Sequence, residues 1–288
     1  MPDLAATLLL NALSAALALS LAALGLAIIF GLMGVINLAH GAFLTVGAYV
    51  VWAVPEMLGV SFWIGLILAP LVVGVLGALV ERLVIRHLYD RLLDTILATW
   101  GISLAVIELI KLVFGSTSKS VSNPLRGSVD LGVTVYPSYR LFLIGFCATV
   151  LTAVFVFFKT TDVGVRLRAV IQDSDAASLQ GLNQARMYQY SFAFGAGLAG
   201  LAGAALAPIT TVSPDMGVTY LVQSFFAIIL GGTGALIAIV PGSIIVAGSV
   251  NFMTFLISPV LAQTIVFIFV IVIMIIRPQG IVPEAWHE

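Results

Sequence analysis

The chain has 288 residues, of which 61% are hydrophobic and 9% are charged, with a formal net charge of -1 and a mean hydropathy of +1.18. Soluble domains average roughly 25% charged residues, so this composition excludes a water-facing globular surface. The apolar runs are continuous, as in residues 263–276 (QTIVFIFVIVIMII), whereas the strands of a membrane barrel would alternate apolar and polar residues. The sequence therefore predicts an all-α polytopic membrane protein.

Apolar runs long enough to cross ~30 Å of hydrocarbon predict eight to nine transmembrane helices. The predicted spans are 8–30, 42–60, 62–80, 94–114, 141–158, 188–209, 220–236, 238–257 and 260–276. Residues 31–41 interrupt this series and predict a broken or re-entrant segment. We expect residues 1–288 to form a single transmembrane domain, with an external loop at about 115–140 and a cytoplasmic loop at about 159–187.

Lysine and arginine concentrate on one side of the predicted helices, and short loops rich in these residues stay cytoplasmic. No lysine or arginine precedes Arg82. The opposite side carries Lys119, Arg126 and Arg140. With nine spans, this bias predicts a cytoplasmic C-terminus and an external N-terminus. The residues assigned to the cytoplasmic side are Arg82, Arg86, Arg91, Lys159, Arg166, Arg168, Arg186 and Arg277.

The interruption reads GVINLAHGAFLTVGAY over residues 34–49, and its polar side chains are candidates for a solute path. Asn37 and a neutral His40 can each donate and accept hydrogen bonds, which suits an amide or urea-like solute. The alternative is structural: Asn37 would cap the following helix and His40 would bond a neighbouring helix. The candidate path residues are Asn37, His40, Thr45 and Tyr49, followed by Gln223, Ser224 and Thr233.

Glycines mark two similar stretches at an offset of 200 residues, IFGLMGVINLAHGAFLTVGA from 29 and ILGGTGALIAIVPGSIIVAG from 229. Transporters often contain weak internal repeats with glycine- or proline-interrupted helices near the substrate path. Glycines also let transmembrane backbones approach closely, so a packing role is the alternative. The candidate gating or packing glycines are Gly31, Gly34, Gly41, Gly231, Gly232 and Gly234.

Motifs for chemistry are missing from the chain, which has no Walker A loop, no G-x-S-x-G elbow and a single cysteine, Cys147. We therefore expect no enzymatic activity, no metal site and no cofactor in this chain. The ionisable residues within predicted spans are few, with His40, Glu108 and Lys111 the main ones. Proton- or sodium-driven carriers normally use more buried acids. A passive channel and an ion-coupled carrier nevertheless remain alternatives.

The longest hydrophilic cytoplasmic stretch is residues 158–190, FKTTDVGVRLRAVIQDSDAASLQGLNQARMYQY. It predicts a short helix that begins near Asp175 with Ala176 and Ala177 and ends at Gly181, a common residue after a helix C-terminus. Arg168 and Arg186 flank this helix. A short amphipathic helix exposed to the cytoplasm is suited to docking in the groove of a partner.

The pattern acid-Ala-Ala-x-x-x-Gly at 175–181 resembles the EAA loop of ABC importer permeases, with Asp in place of the usual Glu. Residues 31–50 (GLMGVINLAHGAFLTVGAYV) resemble permeases of the branched-chain amino acid and urea importers, the Liv/Urt family. Further stretches that carry the resemblance are ERLVIRHLYDRLLDTILATWGISL from 81, SPDMGVTYLVQSFFAIILGGTGAL from 213 and RPQGIV from 277.

This resemblance implies a permease subunit in the bacterial inner membrane, surrounded by lipid and without a nucleic-acid partner. It implies a second homologous permease, two cytoplasmic ATPase subunits that bind ATP and Mg²⁺, and an external solute-binding protein. The helix at 175–181 would be the coupling helix that sits in a cleft of the ATPase. Residues 87–104 and 213–226 look closer to the urea-type subunit. The expected substrate is thus urea or a short amide, with branched-chain amino acids as the alternative.

Overall fold

A computed structural model of the chain describes residues 2–89, 91–172, 174–232, 236–277 and 280–281. These residues form twelve α-helices and one two-stranded hairpin. The elements in chain order are α1 (Pro2–Met33), α2 (His40–Leu58), α3 (Phe62–Leu83), α4 (Leu92–Phe114), β1 (Ser128–Asp130), β2 (Val135–Pro137), α5 (Ser138–Thr160), α6 (Asp162–Gln172), α7 (Ser174–Leu179), α8 (Gln184–Leu206), α9 (Met216–Gly231), α10 (Ile239–Ser243), α11 (Ser249–Met253) and α12 (Pro259–Ile276).

Eight helical segments among the described residues are long and apolar enough to cross a membrane, which confirms the predicted all-α polytopic fold. One of them, Leu236–Met253, joins α10 and α11 through a π-helical turn at Ile244–Gly248. The remaining apolar helix, α9, has only 16 residues. The span predicted at 220–236 is therefore displaced, because α9 begins at Met216 and ends before Gly232, whose φ of 114° cannot continue a helix.

The centre of the bundle is built on glycine contacts between α1, α2 and α8. A Cβ atom on Gly47 would overlap the backbone of Gly200, and one on Gly195 would overlap the backbone of Gly25. In lipid, such close approach replaces the hydrophobic drive between helices with dispersion and weak hydrogen bonds. The small residues of α8 thus bring three helix backbones together around a largely buried α1.

The segment between α1 and α2 is broken, within the predicted region 31–41, because α1 continues to Met33 and α2 begins at His40. The side chain of His40, at the start of α2, bonds the carbonyl of Ala22. Ala22 lies eleven residues before the end of α1 at Met33, a distance of about 16 Å along a helix. Residues 34–39 therefore return along α1 before α2 begins. Non-helical backbone is tolerated at this depth only where protein surrounds it.

The two ends of the bundle differ in character. The hairpin of β1 and β2 lies beside the N-terminal part of α1, where the hydroxyls of Thr7 and Thr134 are 2.8 Å apart. We call this the hairpin end. At the opposite end lie the end of α3, the end of α5, the start of α8, and helices α6 and α7 between them. We call this the basic end, after its arginines.

Candidate functional site

The start of α2 is held by its own polar side chains. Asn37 is fully buried, and its Oδ1 accepts a hydrogen bond from the N–H of Ala39 at 3.0 Å. The Nε2 atom of the buried His40 lies 2.9 Å from the carbonyl oxygen of Ala22. The interhelical contact predicted as the alternative for His40 is therefore present. Asn37 does not cap α2 as its alternative predicts, because Ala39 is the N-cap and receives no side-chain cap bond; Asn37 instead closes a turn with the Ala39 N–H.

Thr45 and Tyr49 continue along the same helix into protein contacts. The Thr45 hydroxyl accepts a hydrogen bond from the N–H of Gly217 at 3.1 Å, which joins α2 to the first turn of α9. The Tyr49 ring packs against Phe114, with centroids 5.2 Å apart. Within the described part of the chain, Asn37 Nδ2, His40 Nδ1 and Tyr49 OH have no hydrogen-bond partner. A solute role for these side chains stays a prediction.

A partly polar cavity of about 230 Å³ opens at the hairpin end between α1, α5, α9 and α11. Gln223, one of the predicted path residues, contributes to its lining. The polar residues of the cavity wall are Asn11, Ser14, Arg140, Thr210, Tyr220, Gln223, Asn251 and Thr254. The apolar residues are Ala15, Ala18, Leu19, Leu206, Ile209, Ala247 and Val250. This wall can therefore contact both a polar head and an aliphatic chain.

The other predicted path residues lie apart from this cavity or beyond the described residues. Ser224 is fully buried in α9, and its Oγ has no partner among the described residues. Thr233 and Gly234 lie outside the described residues. Of the second-tier path residues, Gln223 is therefore the one that the structure places in the cavity wall.

The predicted glycines fall into two groups. A Cβ atom on Gly41 would press against the carbonyl of Gly217, and one on Gly231 would overlap the carbonyl of Ala238. At Gly31 and Gly34, by contrast, a Cβ atom would meet nothing within 4 Å, although Gly34 has a φ of 61°. Gly41 and Gly231 thus allow close packing of helices, whereas Gly34 allows the backbone to adopt a left-handed conformation. Gly232 combines a φ of 114° with a close approach by Gly280.

The basic end carries two helices where the sequence predicts one. Helix α6 ends at Gln172 and the six-residue α7 begins at Ser174. Gly181 has a φ of 85°, and the N–H of Leu182 bonds the carbonyl of Ala177 at 3.2 Å. That six-to-one bond around a left-handed glycine is a Schellman motif, the predicted end of this helix.

Exposure at α7 is uneven. Ala177 is buried, whereas Leu179 is 91% exposed. Arg168 donates from Nη1 to the carbonyl of Phe158 at the end of α5, and Arg186 is exposed in the first turn of α8. Leu179 is therefore the large apolar side chain of α7 that is open to contact from outside the chain.

A buried carboxylate near this end escaped the sequence analysis, which placed residue 81 in a loop. Helix α3 continues to Leu83 and buries Glu81 completely. The Glu81 carboxylate accepts hydrogen bonds from Tyr89 and from Arg86. Burial and the neighbouring Glu81 raise the pKa of Tyr89 above its usual range. The usable signal was an acid followed at short spacing by an arginine and a tyrosine.

Arg86 extends this cluster to α8, because its Nη2 also bonds Gln189 Oε1 at 3.3 Å. Another ion pair, Glu108 with Lys111 at 2.6 Å, lies near the hairpin end of α4. The lone Cys147 is buried and forms no disulfide.

Comparison of the sequence with known proteins identifies its family. A family model described as the permease component of the branched-chain amino acid transport system matches residues 8–276. The chain belongs to this family. It is a multi-pass inner-membrane permease of a Liv-type ABC importer, a translocation subunit and not an enzyme. Such a permease works with ATPase and solute-binding partners.

Individual relatives resemble the permease along most of its length. The high-affinity branched-chain amino acid transport system permease protein LivH of Salmonella typhimurium is 25% identical over 91% of this chain and 90% of its own. BraD, the corresponding protein of Pseudomonas aeruginosa, is 25% identical over 95% of this chain and 94% of its own. A probable LivH of Methanocaldococcus jannaschii is 26% identical over 94% of this chain and 90% of its own.

Proposed function

We propose that this chain is the permease subunit of an ATP-driven importer for branched-chain amino acids. The observation that carries this proposal is the match along nearly the whole chain to permeases named for that transport. It favours the alternative of the sequence analysis over urea, for which the relatives offer no support. The cavity at the hairpin end agrees, since its wall includes Leu206, Ile209 and Val250 beside polar groups.

In this proposal the permease pairs with a second homologous permease, two ATPase subunits and an external binding protein. The hairpin end faces outward, so the N-terminus is external and the C-terminus is cytoplasmic. The arginine distribution supports this orientation. Solute released by the binding protein would enter at the hairpin end, near Gln223.

Helix α7 would dock into the ATPase at the basic end, as the coupling helix implied by Asp175, Ala176, Ala177 and Gly181. Leu179 is the side chain most available for that contact, because it is 91% exposed. The motion would then reach α8, which follows α7 after the Schellman turn at Gly181. Transport requires two discrete packings of the helices that nucleotide and solute favour differently.

Uptake by the complete importer in membrane vesicles tests both parts of the proposal. Labelled leucine should enter only with ATP, valine and isoleucine should compete, and urea should not. Competition by urea with no effect of valine would overturn the substrate assignment. ATP-independent uptake would instead indicate a channel.

The coupling assignment is tested in the same vesicles with Leu179→Asp, a change at an exposed position that leaves the fold intact. This variant should reach the membrane in normal amounts but lose ATP-driven uptake and solute-stimulated ATP hydrolysis. The matched control is Leu131→Asp on the hairpin, 43% exposed at the opposite end, which should transport normally. Normal uptake by Leu179→Asp would contradict docking through α7.

A further inference from the structure

Arg140 stands out in the wall of the cavity at the hairpin end. Among the described residues that line this cavity, it is the one that carries a charge. The ion pairs found among the described residues do not include it. A cation that faces a cavity at the edge of a low-dielectric bundle favours a counter-anion, because no carboxylate of the wall neutralises it.

The guanidinium of Arg140 is held in place by Asn11. Its Nη1 donates to Asn11 Oδ1, and the same oxygen accepts a hydrogen bond from the Tyr136 hydroxyl at 3.0 Å. The Tyr136 hydroxyl also interacts with the guanidinium, and the hydrogen bond to Asn11 comes from Nη1. Nε and Nη2 form the edge of a guanidinium that can bind a carboxylate through two parallel hydrogen bonds. Asn11 therefore orients Arg140 and leaves that edge available.

The position of Arg140 in α5 adds to this preference. It lies in the first turn of a helix that has no side-chain cap. The N-terminus of a helix carries a partial positive charge, which disfavours a cation and favours an anion. A carboxylate bound there would thus interact favourably with both the guanidinium and the helix.

The rest of the wall fits the remainder of an amino acid. Leu206, Ile209 and Val250 offer apolar contact, and oxygens such as that of Thr210 can accept hydrogen bonds from an ammonium group. We infer that Arg140, positioned by Asn11, forms a carboxylate-binding subsite for aliphatic α-amino acids at the entrance of the permease. This inference rests on the proposed function and specifies how the solute would be recognised.

Arginine modification tests the subsite without relying on transport. The assembled importer in lipid nanodiscs would be treated with phenylglyoxal, and the labelling of Arg140 would be followed by peptide mass spectrometry. Leucine should slow this labelling, whereas leucinamide, which differs in lacking the carboxylate, and urea should not. Arg126, at the same end of the molecule but in the wall of a separate cavity, is the internal control and should label at one rate throughout.

Variants provide the second measurement. Arg140→Gln should lower the rate of leucine uptake by about tenfold or more, because a hydrogen bond to a charged group is typically stronger than a neutral one. Arg140→Lys should retain part of the activity, and Arg126→Gln should retain all of it. Asn11→Asp keeps Arg140 but supplies an internal carboxylate at its Nη1, so it should weaken protection by leucine even if Arg140→Gln assembles poorly.

The outcomes separate this inference from the proposed function. If the wild-type importer does not take up leucine, the proposed function fails and the subsite fails with it. If leucine is taken up but protects Arg140 no better than leucinamide does, only the subsite is overturned. Leucine uptake at the wild-type rate by Arg140→Gln would also overturn it.

Discussion

Among the described residues, two breaks between helices are held in different ways. In the first break, residues 34–39 between α1 and α2, side chains hold the chain: Thr99 bonds the Leu38 N–H at 3.2 Å. In the second, after α9 ends at Gly231, described contacts are between backbones, as where the carbonyl of Ala238 fills the space of a Gly231 side chain. A bilayer core offers no water to either break. At the first break a polar side chain thus pairs a backbone group, whereas at the second the glycine allows backbones to pack in van der Waals contact.

The C-terminal segment reinforces the second solution. The N–H of Ile281 bonds the carbonyl of Leu230 at 2.9 Å, and Gly280 lies against the backbone of Gly232. Among the described residues, no C-terminal segment packs over the first break in this way. Thr99 of α4 instead bonds the Leu38 N–H and the Ile36 carbonyl there. Helix ends at the two breaks lie close to the 200-residue offset seen in the sequence. The two similar stretches of sequence therefore end helices at nearly equivalent positions, but different contacts stabilise the two breaks.

The largest expected effect comes from adding one methyl group at the second break. A Cβ atom on Gly242 would overlap the carbonyl of Ala227, so Gly242→Ala must push α10 away from α9. We expect a loss of about 2 to 3 kcal/mol in the free energy of unfolding. Unfolding of the purified permease in mixed micelles with increasing SDS measures it.

The matched control for that change is Gly145→Ala in α5, where a Cβ atom meets nothing within 4 Å. Alanine in an open helix interior should stabilise by about 0.5 to 1 kcal/mol. Equal unfolding free energies for Gly242→Ala and Gly145→Ala would show that the second break does not depend on close backbone contact.

A smaller effect is expected from removing a hydroxyl at the first break. Thr99→Val keeps the shape of the side chain but leaves the Leu38 N–H without its acceptor. An unpaired buried donor costs about 1 to 3 kcal/mol. Hydrogen exchange at Leu38 should also accelerate in the variant.

Thr99→Ser, which keeps the hydroxyl, is the control for this change and should protect the Leu38 amide as the wild type does. If Thr99→Val unfolds at the wild-type free energy and keeps its amide protected, side chains do not hold the first break. The contrast between the two breaks would then disappear.

Sequence reasoning succeeded where a feature is local. Continuous apolar runs predicted the helices, and the polar, glycine-rich stretch at 31–41 predicted the break. Gly181 predicted the end of α7, since a glycine after a short helix favours the left-handed conformation. Each of these depends on neighbours within a few residues along the chain.

Features that depend on partners distant in sequence could not be predicted in this way. The burial of Glu81 also depends on how the end of α3 packs against α8, where Arg86 bonds Gln189. The local spacing of Arg86 and Tyr89 was not enough to predict it, and residue 81 was placed in a loop. The cavity wall combines Asn11, Arg140 and Gln223 from three helices. Only Gln223 was predicted from the sequence, because Arg140 was read as a topology marker. Tertiary packing decides such sites, and a single sequence carries little record of it.

The smallest expected effect separates backbone conformation from packing within the first break. Gly34 and Gly31 both have open space where a Cβ atom would be, but only Gly34 has a positive φ, 61°. Gly34→Ala should therefore destabilise the permease by about 1 kcal/mol through backbone strain alone. Gly31→Ala, inside α1, should instead stabilise it by about 0.5 to 1 kcal/mol. Both changes are measured by the same SDS titration, and their opposite signs are the diagnostic result. Stabilisation by both variants would mean that residue 34 adopts a helical conformation. Helix α1 would then extend beyond Met33, and the segment that runs back along α1 toward Ala22 would begin later in the chain.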